Sequence, residues 1–463
     1  MEQHDIIKIS KKTFLFSAAI LLALMIAAGV ISLALPAGSY ERDAQGLILE
    51  GSYRLTGGEA LPVWRWFTAP FEVLAGPDGL VIIVIIVFLF FLGAAFTVFN
   101  QSGALKYGIW VLGRKFYKRK YLLLSAVSLF FMLLGSFAGI FEESVLLAPV
   151  AVALCLSLGF DVYTGLFISL LSVSFGFSAG IFNPFTTGIA QRLAGLPVFS
   201  GAGFRILGFA VVFLMLNAFI QVYARKAAAQ KAAGEFAAAP CVDDEKASRK
   251  SAAALLLTFV SLFLWVIAMS FVEGLSDYTM PVLAVLFLAG GIAAGFSAGM
   301  GGRGVLRALG GGCAGVAPGV LLILMASSVK YILSESMVMD TILYRSTALI
   351  QNAGRIPVAL GIYLLVLVLD FFISSGSAKV FLIMPVISPI AQIAGLSAQT
   401  AVLAYLFGDG FSNSFYITNA VLLITLGITG ASYAGWFKRI WPLQLATLAA
   451  TAGLVVLACA AGY

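Results

Sequence analysis

Two adjacent acids, Glu142 and Glu143, stand in an otherwise apolar stretch, within the string GSFAGIFEES at 135–144. An ionised carboxylate in hydrocarbon costs several kcal/mol, so an intramembrane pair reads as functional. Mutual repulsion raises one of the two pKa values and opens a proton-coupling role. Successive residues on a helix point about 100° apart, so one acid can face a site while the other does not. The structural alternative is a pair that caps the helix that follows, where negative charge is favourable. A second constellation, Asn183, Pro184, Phe185 and Thr186, lies in GIFNPFTTG at 180–188. Pro removes a backbone donor, while Asn and Thr offer side-chain oxygens to a substrate or a sodium ion; a plain proline kink is the bland alternative. Ser412, Asn413 and Ser414 repeat this chemistry in FGDGFSNSFYITN at 407–419, with Asp409 before them and Thr418 and Asn419 after. In ISSGSAK at 373–379, Ser374, Ser375, Gly376 and Ser377 form a flexible, donor-rich stretch followed by Lys379. Two roles are open to that fixed cation. It holds a substrate carboxylate, or it stands in for a coupling cation by pairing with Asp409 or Asp370. Arg192 and Arg205 flank the first broken segment and read as interfacial anchors.

The elements that position these residues follow from composition. Of 463 residues, 61% are hydrophobic and 11% charged, against roughly 25% charged in an average soluble domain, and mean hydropathy is +1.04. A soluble fold of this size cannot coat itself with so little charge. Apolar segments of about 20 residues recur along the chain, which predicts an all-α polytopic membrane protein; the short alternating segments of a membrane barrel are absent. The one His, at position 4, and four Cys without CxxC spacing give no metal set. Without a His to activate a Ser, enzyme chemistry is not expected. The +7 net charge lies in alternating loops, an orientation signal rather than a nucleic-acid footprint.

Residues 14–35 read as a retained first helix rather than a signal peptide, and 36–66 as an external loop. Residues 79–98 cross back, and 101–120 are amphipathic and end in RKFYKRK, a topology anchor at the inner leaflet. The polar stretch 225–251 reads as a cytoplasmic linker between an N-terminal half (1–224) and a C-terminal half (252–463). Crossings are expected near 252–272, 281–299, 311–333, 357–373 and 437–461, with the N-terminus inside and the C-terminus outside. Two segments, 121–158 and 357–394, consist of short apolar arms around a break and read as re-entrant hairpins. A broken helix follows each, near 161–196 and 398–428. The two halves thus repeat one order in opposite orientation, two inverted repeats. Interrupted helices at corresponding positions point to a transporter's substrate site. Freed N–H groups there suit a carboxylate, and freed carbonyls suit sodium at the Asn183 and Asn413 breaks.

The strings GSFAGIFEES, GFSAGIFNPFTTGIAQRLAGLPVFSGAGFR, SSGSAKVFLIMP and FGDGFSNSFYITN resemble the signatures of YfcC-type carriers. These carriers belong to the family of anaerobic four-carbon-dicarboxylate carriers and arginine/ornithine exchangers, in the ion-transporter superfamily. The resemblance covers nearly the whole chain after residue 14. It implies a homodimeric secondary transporter of a bacterial-type inner membrane, with a scaffold domain and a transport domain that moves both hairpins in an elevator-like fashion. Implied substrates are amino acids, often basic, or organic acids. By matching position, Asn183, Thr186, Ser375, Ser377, Asp409, Ser412, Asn413 and Thr418 inherit a substrate- or ion-site expectation. Where the family usually reads Pro-Ser-Gly-Ser-Gly-Gln this chain has Ser374 to Lys379, and where it has Pro-Thr-Ser this chain has Ile417-Thr418-Asn419. Lys in place of Gln argues against a coupling ion and against a cationic substrate, and for a substrate with at least one carboxylate and exchange without sodium.

The expected function is therefore secondary active transport of amino acids or small organic carboxylates, by exchange or ion symport. No cofactor beyond a coupling sodium or proton is expected, and the partners are the solute, the bilayer and a second copy. A passive channel is the alternative; it needs a continuous polar lining, whereas the charged residues here cluster at two matching places.

Overall fold

The computed structural model describes residues 11–43, 48–49, 51–58, 61–77, 79–139, 141, 144–230, 245–270, 279–348, 353–373 and 375–463. The described chain is almost entirely helical. In order, the first half holds α1 (Lys11–Ala34), α2 (Val63–Glu72), α3 (Gly79–Gln101), α4 (Ala104–Phe116), α5 (Lys120–Leu133), α6 (Ser144–Ser157), α7 (Val162–Leu166), α8 (Ser172–Ala179), α9 (Ile189–Leu193) and α10 (Ala202–Gln230). The second half holds α11 (Glu245–Ser270), α12 (Thr279–Ser297), α13 (Gly302–Glu335), α14 (Met339–Ala348), α15 (Arg355–Asp370), α16 (Gly376–Ile393), α17 (Ala398–Asp409), α18 (Ala420–Thr429) and α19 (Tyr433–Ala461).

Helix lengths sort these elements. The 23 residues of α3 reach about 34 Å, enough for a hydrocarbon core of about 30 Å. The 14 residues of α6 reach only about 21 Å, and α18 is shorter still. Six stretches are long and apolar enough to cross a membrane among the described residues: 82–101, 120–137, 162–193, 202–228, 302–335 and 433–461. The stretch 162–193 is 94% buried inside the protein, against 28% for 202–228, so the first broken segment is shielded by other helices while its neighbour offers a lipid-facing side. The chain is a multi-pass membrane protein.

Two groups of helices pack together. In one, α3 lies along α12 and α13, α11 against α12 and α4, and α1 against α13. In the other, α15 lies against α17 and α19, and α10 against α5, α8 and α19. The groups meet where α6 touches α4 and where α18 touches α13. Close approach depends on small residues: a Cβ on Gly176 of α8 would lie 1.9 Å from the Met132 carbonyl oxygen of α5, and one on Gly312 of α13 would lie 2.2 Å from that of Gly93.

Each of the four expected interruptions is present. α5 runs into a π-turn, Leu134–Ala138, and stops at Gly139 in the left-handed conformation (φ 65°), which glycine adopts without steric cost. α8 stops likewise at Gly180 (φ 42°), before a second π-turn, Pro184–Gly188. α15 stops at Asp370 and α16 starts at Gly376; α17 gives way to a 3-10 turn, Phe411–Ser414, well before α18.

Other boundaries differ. The stretch 36–66 carries a short antiparallel pair, β1 (Gly38–Ser39) with β2 (Arg54–Leu55), and the first turn of α2. It is pinned to α14 by Arg42 on Asp340 (3.0 Å) and by Tyr53 on Thr341 (2.8 Å), contacts between distant segments. The crossing expected at 311–333 begins at Gly302, and Gly312 packs on α3 instead of ending the helix. Of the linker expected at 225–251, both ends are helical, 225–230 as the end of α10 and 245–251 as the start of α11, and 231–244 lies outside the described residues.

Candidate functional site

At the first break the Asn183 side chain folds back on its own helix start. Its Oδ1 accepts from the backbone N–H groups of Phe185 (2.9 Å) and Thr186 (3.2 Å), an N-cap that fixes which side-chain atom is oxygen. With both lone pairs engaged, that oxygen is not spare for sodium. What remains is Nδ2, a donor, and it has no partner among the described residues; neither has Thr186 Oγ1. Both side chains are fully buried. Glycines at the α5–α6 and α15–α16 interruptions lie against them. A Cβ on Gly139 would sit 2.5 Å from Asn183 Oδ1, and one on Gly376 would sit 3.1 Å from the Thr186 methyl and from the Phe177 ring. Ser136, beside the first tip, accepts from Ile181 N–H at its hydroxyl (3.0 Å) and from Phe182 N–H at its carbonyl (3.1 Å), so the loosened backbone after α8 is satisfied.

The second break is stitched to the interruption between α15 and α16. Lys379 Nζ donates to Asp370 Oδ1 and lies against Asp409 Oδ1, with all three residues at most 1% exposed. The Ser412 hydroxyl donates to the other Asp370 oxygen, Thr418 Oγ1 to the Phe371 carbonyl (2.6 Å), and Tyr405 OH to the Gly376 carbonyl (3.2 Å). Lys379 thus pairs with both of the carboxylates that the sequence offered it. The triad holds two acids and one base.

The two breaks touch directly. Ser174 Oγ donates to the Gly410 carbonyl (2.9 Å), a Cβ on Gly410 would lie 2.3 Å from Ser178 Oγ, and the Phe175 and Phe411 rings meet edge to face at 5.3 Å. Asn183, Thr186, Gly376, Lys379, Asp409, Ser412, Asn413 and Thr418 therefore belong to one buried region rather than to scattered places. Ser375 begins the second tip and has polar or charged interactions of its own. Glu142, Glu143 and Ser374 lie outside the described residues, as does the Ser377 side chain.

Three expectations need correction. The counterpart of Asn183 is not Asn413 but Asn419, whose Oδ1 caps α18 at Leu422 N–H (3.3 Å); Asn413 Oδ1 instead accepts from Asn419 Nδ2 (3.0 Å). Four of the carbonyls at the breaks, expected to be free, already accept hydrogen bonds: Gly180 from Thr187, Ile181 from Arg205, Phe411 from Gln444 and Ser414 from Trp436. Arg205 is no interfacial anchor. It is 1% exposed and also donates to the Phe199 carbonyl (3.3 Å) and the Tyr463 hydroxyl (3.4 Å), because unpaired carbonyls beside α8 give a guanidinium more than the interface does. Sequence reasoning missed Ser136 and Tyr405; only the Ser beside the tip glycines gave a local sign.

Residues 15–460 match the family model of the DcuC C4-dicarboxylate anaerobic carrier. The chain is 28% identical over 392 residues to the Escherichia coli (strain K12) protein named "Putative basic amino acid antiporter YfcC", covering 80% of this chain and 76% of that one. It is 26% identical over 375 residues to an uncharacterised Haemophilus influenzae protein, covering 78% and 72%. The solved YdaH transporter of Alcanivorax borkumensis matches 97% of this chain and 99% of that one at 19% identity, with a TM-score of 0.45, too loose a likeness to transfer any residue. The match over almost the full length, on a multi-pass helical frame, makes this chain a member of the C4-dicarboxylate anaerobic carrier family of transporters.

Proposed function

We propose that the chain is a secondary active transporter that carries an amino acid or small organic carboxylate across the cytoplasmic membrane, by exchange or ion symport. The observation that carries this reading is the pair of buried donors beside Gly376, Asn183 Nδ2 and Thr186 Oγ1, which have no partner among the described residues. Buried polar groups are nearly always satisfied, and an orphaned pair at a helix break calls for a ligand that accepts hydrogen bonds. A carboxylate does so, and the adjacent helix start favours its charge. The excess of acids over bases in the triad suits a solute that also carries a positive group, which accords with the name of the Escherichia coli relative.

In this reading the two halves are inverted repeats. The hairpins are re-entrant, and the group of helices around α15, α17 and α19 slides against the group around α3, α12 and α13 as an elevator, in a homodimer with its N-terminus in the cytoplasm. Glu142 and Glu143 select or couple. The test is counterflow in proteoliposomes, with labelled amino acids and dicarboxylates outside and unlabelled solute inside. Saturable counterflow, weakened by Asn183→Ala, supports a carrier; flux without counterflow indicates a channel, and wild-type uptake by Asn183→Ala refutes the site.

A further inference from the structure

The ammonium of Lys379 occupies the place of an ion. It is fully buried, and among the described residues its charge partners are two carboxylates from different segments: Asp370 at the end of α15 and Asp409 at the end of α17. Ser412 holds the second Asp370 oxygen. Two buried carboxylates converge here from separate helices, one of them held by the Ser412 hydroxyl, and carboxylate oxygens are the ligands that hard cations take. Here the cation is covalently attached, on α16, and reaches the carboxylates from the second hairpin tip.

We propose that Lys379 is a tethered counter-cation that fills an otherwise competent monovalent-cation site, so that this carrier needs no sodium at its second break, and that removing the side chain creates a sodium site. The inference deepens the transport reading and rests on it only for the absence of sodium coupling; the cation site rests on the triad alone. A buried charge stripped of its partner is strongly unfavourable, so an empty Asp370–Asp409 pair takes up a cation or a proton.

The experiment is thermal unfolding of purified full-length protein in sodium chloride, methylammonium chloride or choline chloride at equal ionic strength. Wild type is expected to melt alike in all three. Lys379→Ala is expected to melt lower in choline and to recover by about 2–4 °C, saturably, in sodium or methylammonium. The double variant Lys379→Ala/Asp409→Asn carries the same net triad charge as wild type and is expected to show no cation response. A folded Lys379→Ala without cation response overturns the proposal, as does a wild type that sodium stabilises. Should Lys379→Ala fail to fold in any salt while the double variant folds, free cations have failed to replace the ammonium, and the proposal falls. If neither folds, Lys379→Gln, which keeps the volume, takes the same measurement with the same two outcomes. A sodium response in the variant without counterflow in wild type leaves the cation site standing and sinks the transport reading; counterflow without that response does the reverse.

Discussion

Thr186→Val separates a ligand-binding group from a structural one by moving stability and affinity in opposite directions. The substitution replaces the hydroxyl with a methyl and keeps the branched shape, so the methyl that faces Gly376 stays in place. Thr186 Oγ1 is buried without a partner among the described residues. A buried unsatisfied polar group costs about 1–3 kcal/mol, so its removal makes the ligand-free protein more stable by up to about that amount. On a chain of this length that is a rise in melting temperature of about 1–3 °C. The N-cap from Asn183 uses the Thr186 backbone, not its side chain, and survives. Affinity moves the other way. A hydrogen bond to a charged acceptor is worth about 1.5–3 kcal/mol, so losing it weakens carboxylate binding by about tenfold to a hundredfold. Differential scanning fluorimetry of the purified protein and counterflow KM in proteoliposomes measure the two effects on one preparation. A variant that melts lower and transports normally refutes the reasoning, because Thr186 Oγ1 then has a structural partner and no role in binding.

Ser412→Ala takes a donor from the buried Asp370 carboxylate and is expected to destabilise by about 1.5–3 kcal/mol, the reverse of Thr186→Val, as read by the same melting experiment. Gly410→Ala places a Cβ 2.3 Å from Ser178 Oγ and 3.0 Å from the Phe177 ring, so it is expected to cost about 1–3 kcal/mol. Adding Ser178→Gly is expected to restore most of the loss, and no restoration would place the strain elsewhere. On the loop side, Glu72 links α2 to α13: it accepts from Arg65 (2.6 Å) and from Tyr331 (3.2 Å). Burial pushes its carboxyl up, but the Arg65 and Thr68 hydrogen bonds and the Arg65 charge outweigh that and hold it below the usual glutamate range. A lowered folded value gives stabilisation that is complete above the unfolded glutamate value of about 4.3 and lost as pH falls through the lower folded value. Glu72→Gln is therefore expected to flatten the acid limb of the melting profile by less than about 1 kcal/mol, because the group is partly exposed. An unchanged limb would remove Glu72 from the account.

Much of the architecture was legible because its causes are local. A left-handed helix end needs glycine, and Gly139 and Gly180 sit where α5 and α8 stop. Pro184 cannot donate to a helix and Asn183 can cap one, so NPFT announces its own break. The short arm at Ser144–Ser157 is visible as an apolar run too brief to span. The matching of the halves was read one step out of register: Asn413 lies in the loop, and the capping role falls to Asn419, which only hydrogen bonds to backbone distinguish.

The linear order of residues was thus sufficient to define a membrane chain, its interruptions and the polar residues gathered at them, since backbone preference and hydropathy are properties of a few neighbours. Folding decided which of those residues are spent and which are free. Lys379 meets Asp409 across thirty positions of chain, Arg205 turns inward to the Ile181 carbonyl, and Asn183 keeps a donor rather than an acceptor. Those outcomes depend on distances through space between segments, because a buried charge or amide is satisfied by whatever the packing brings within about 3 Å.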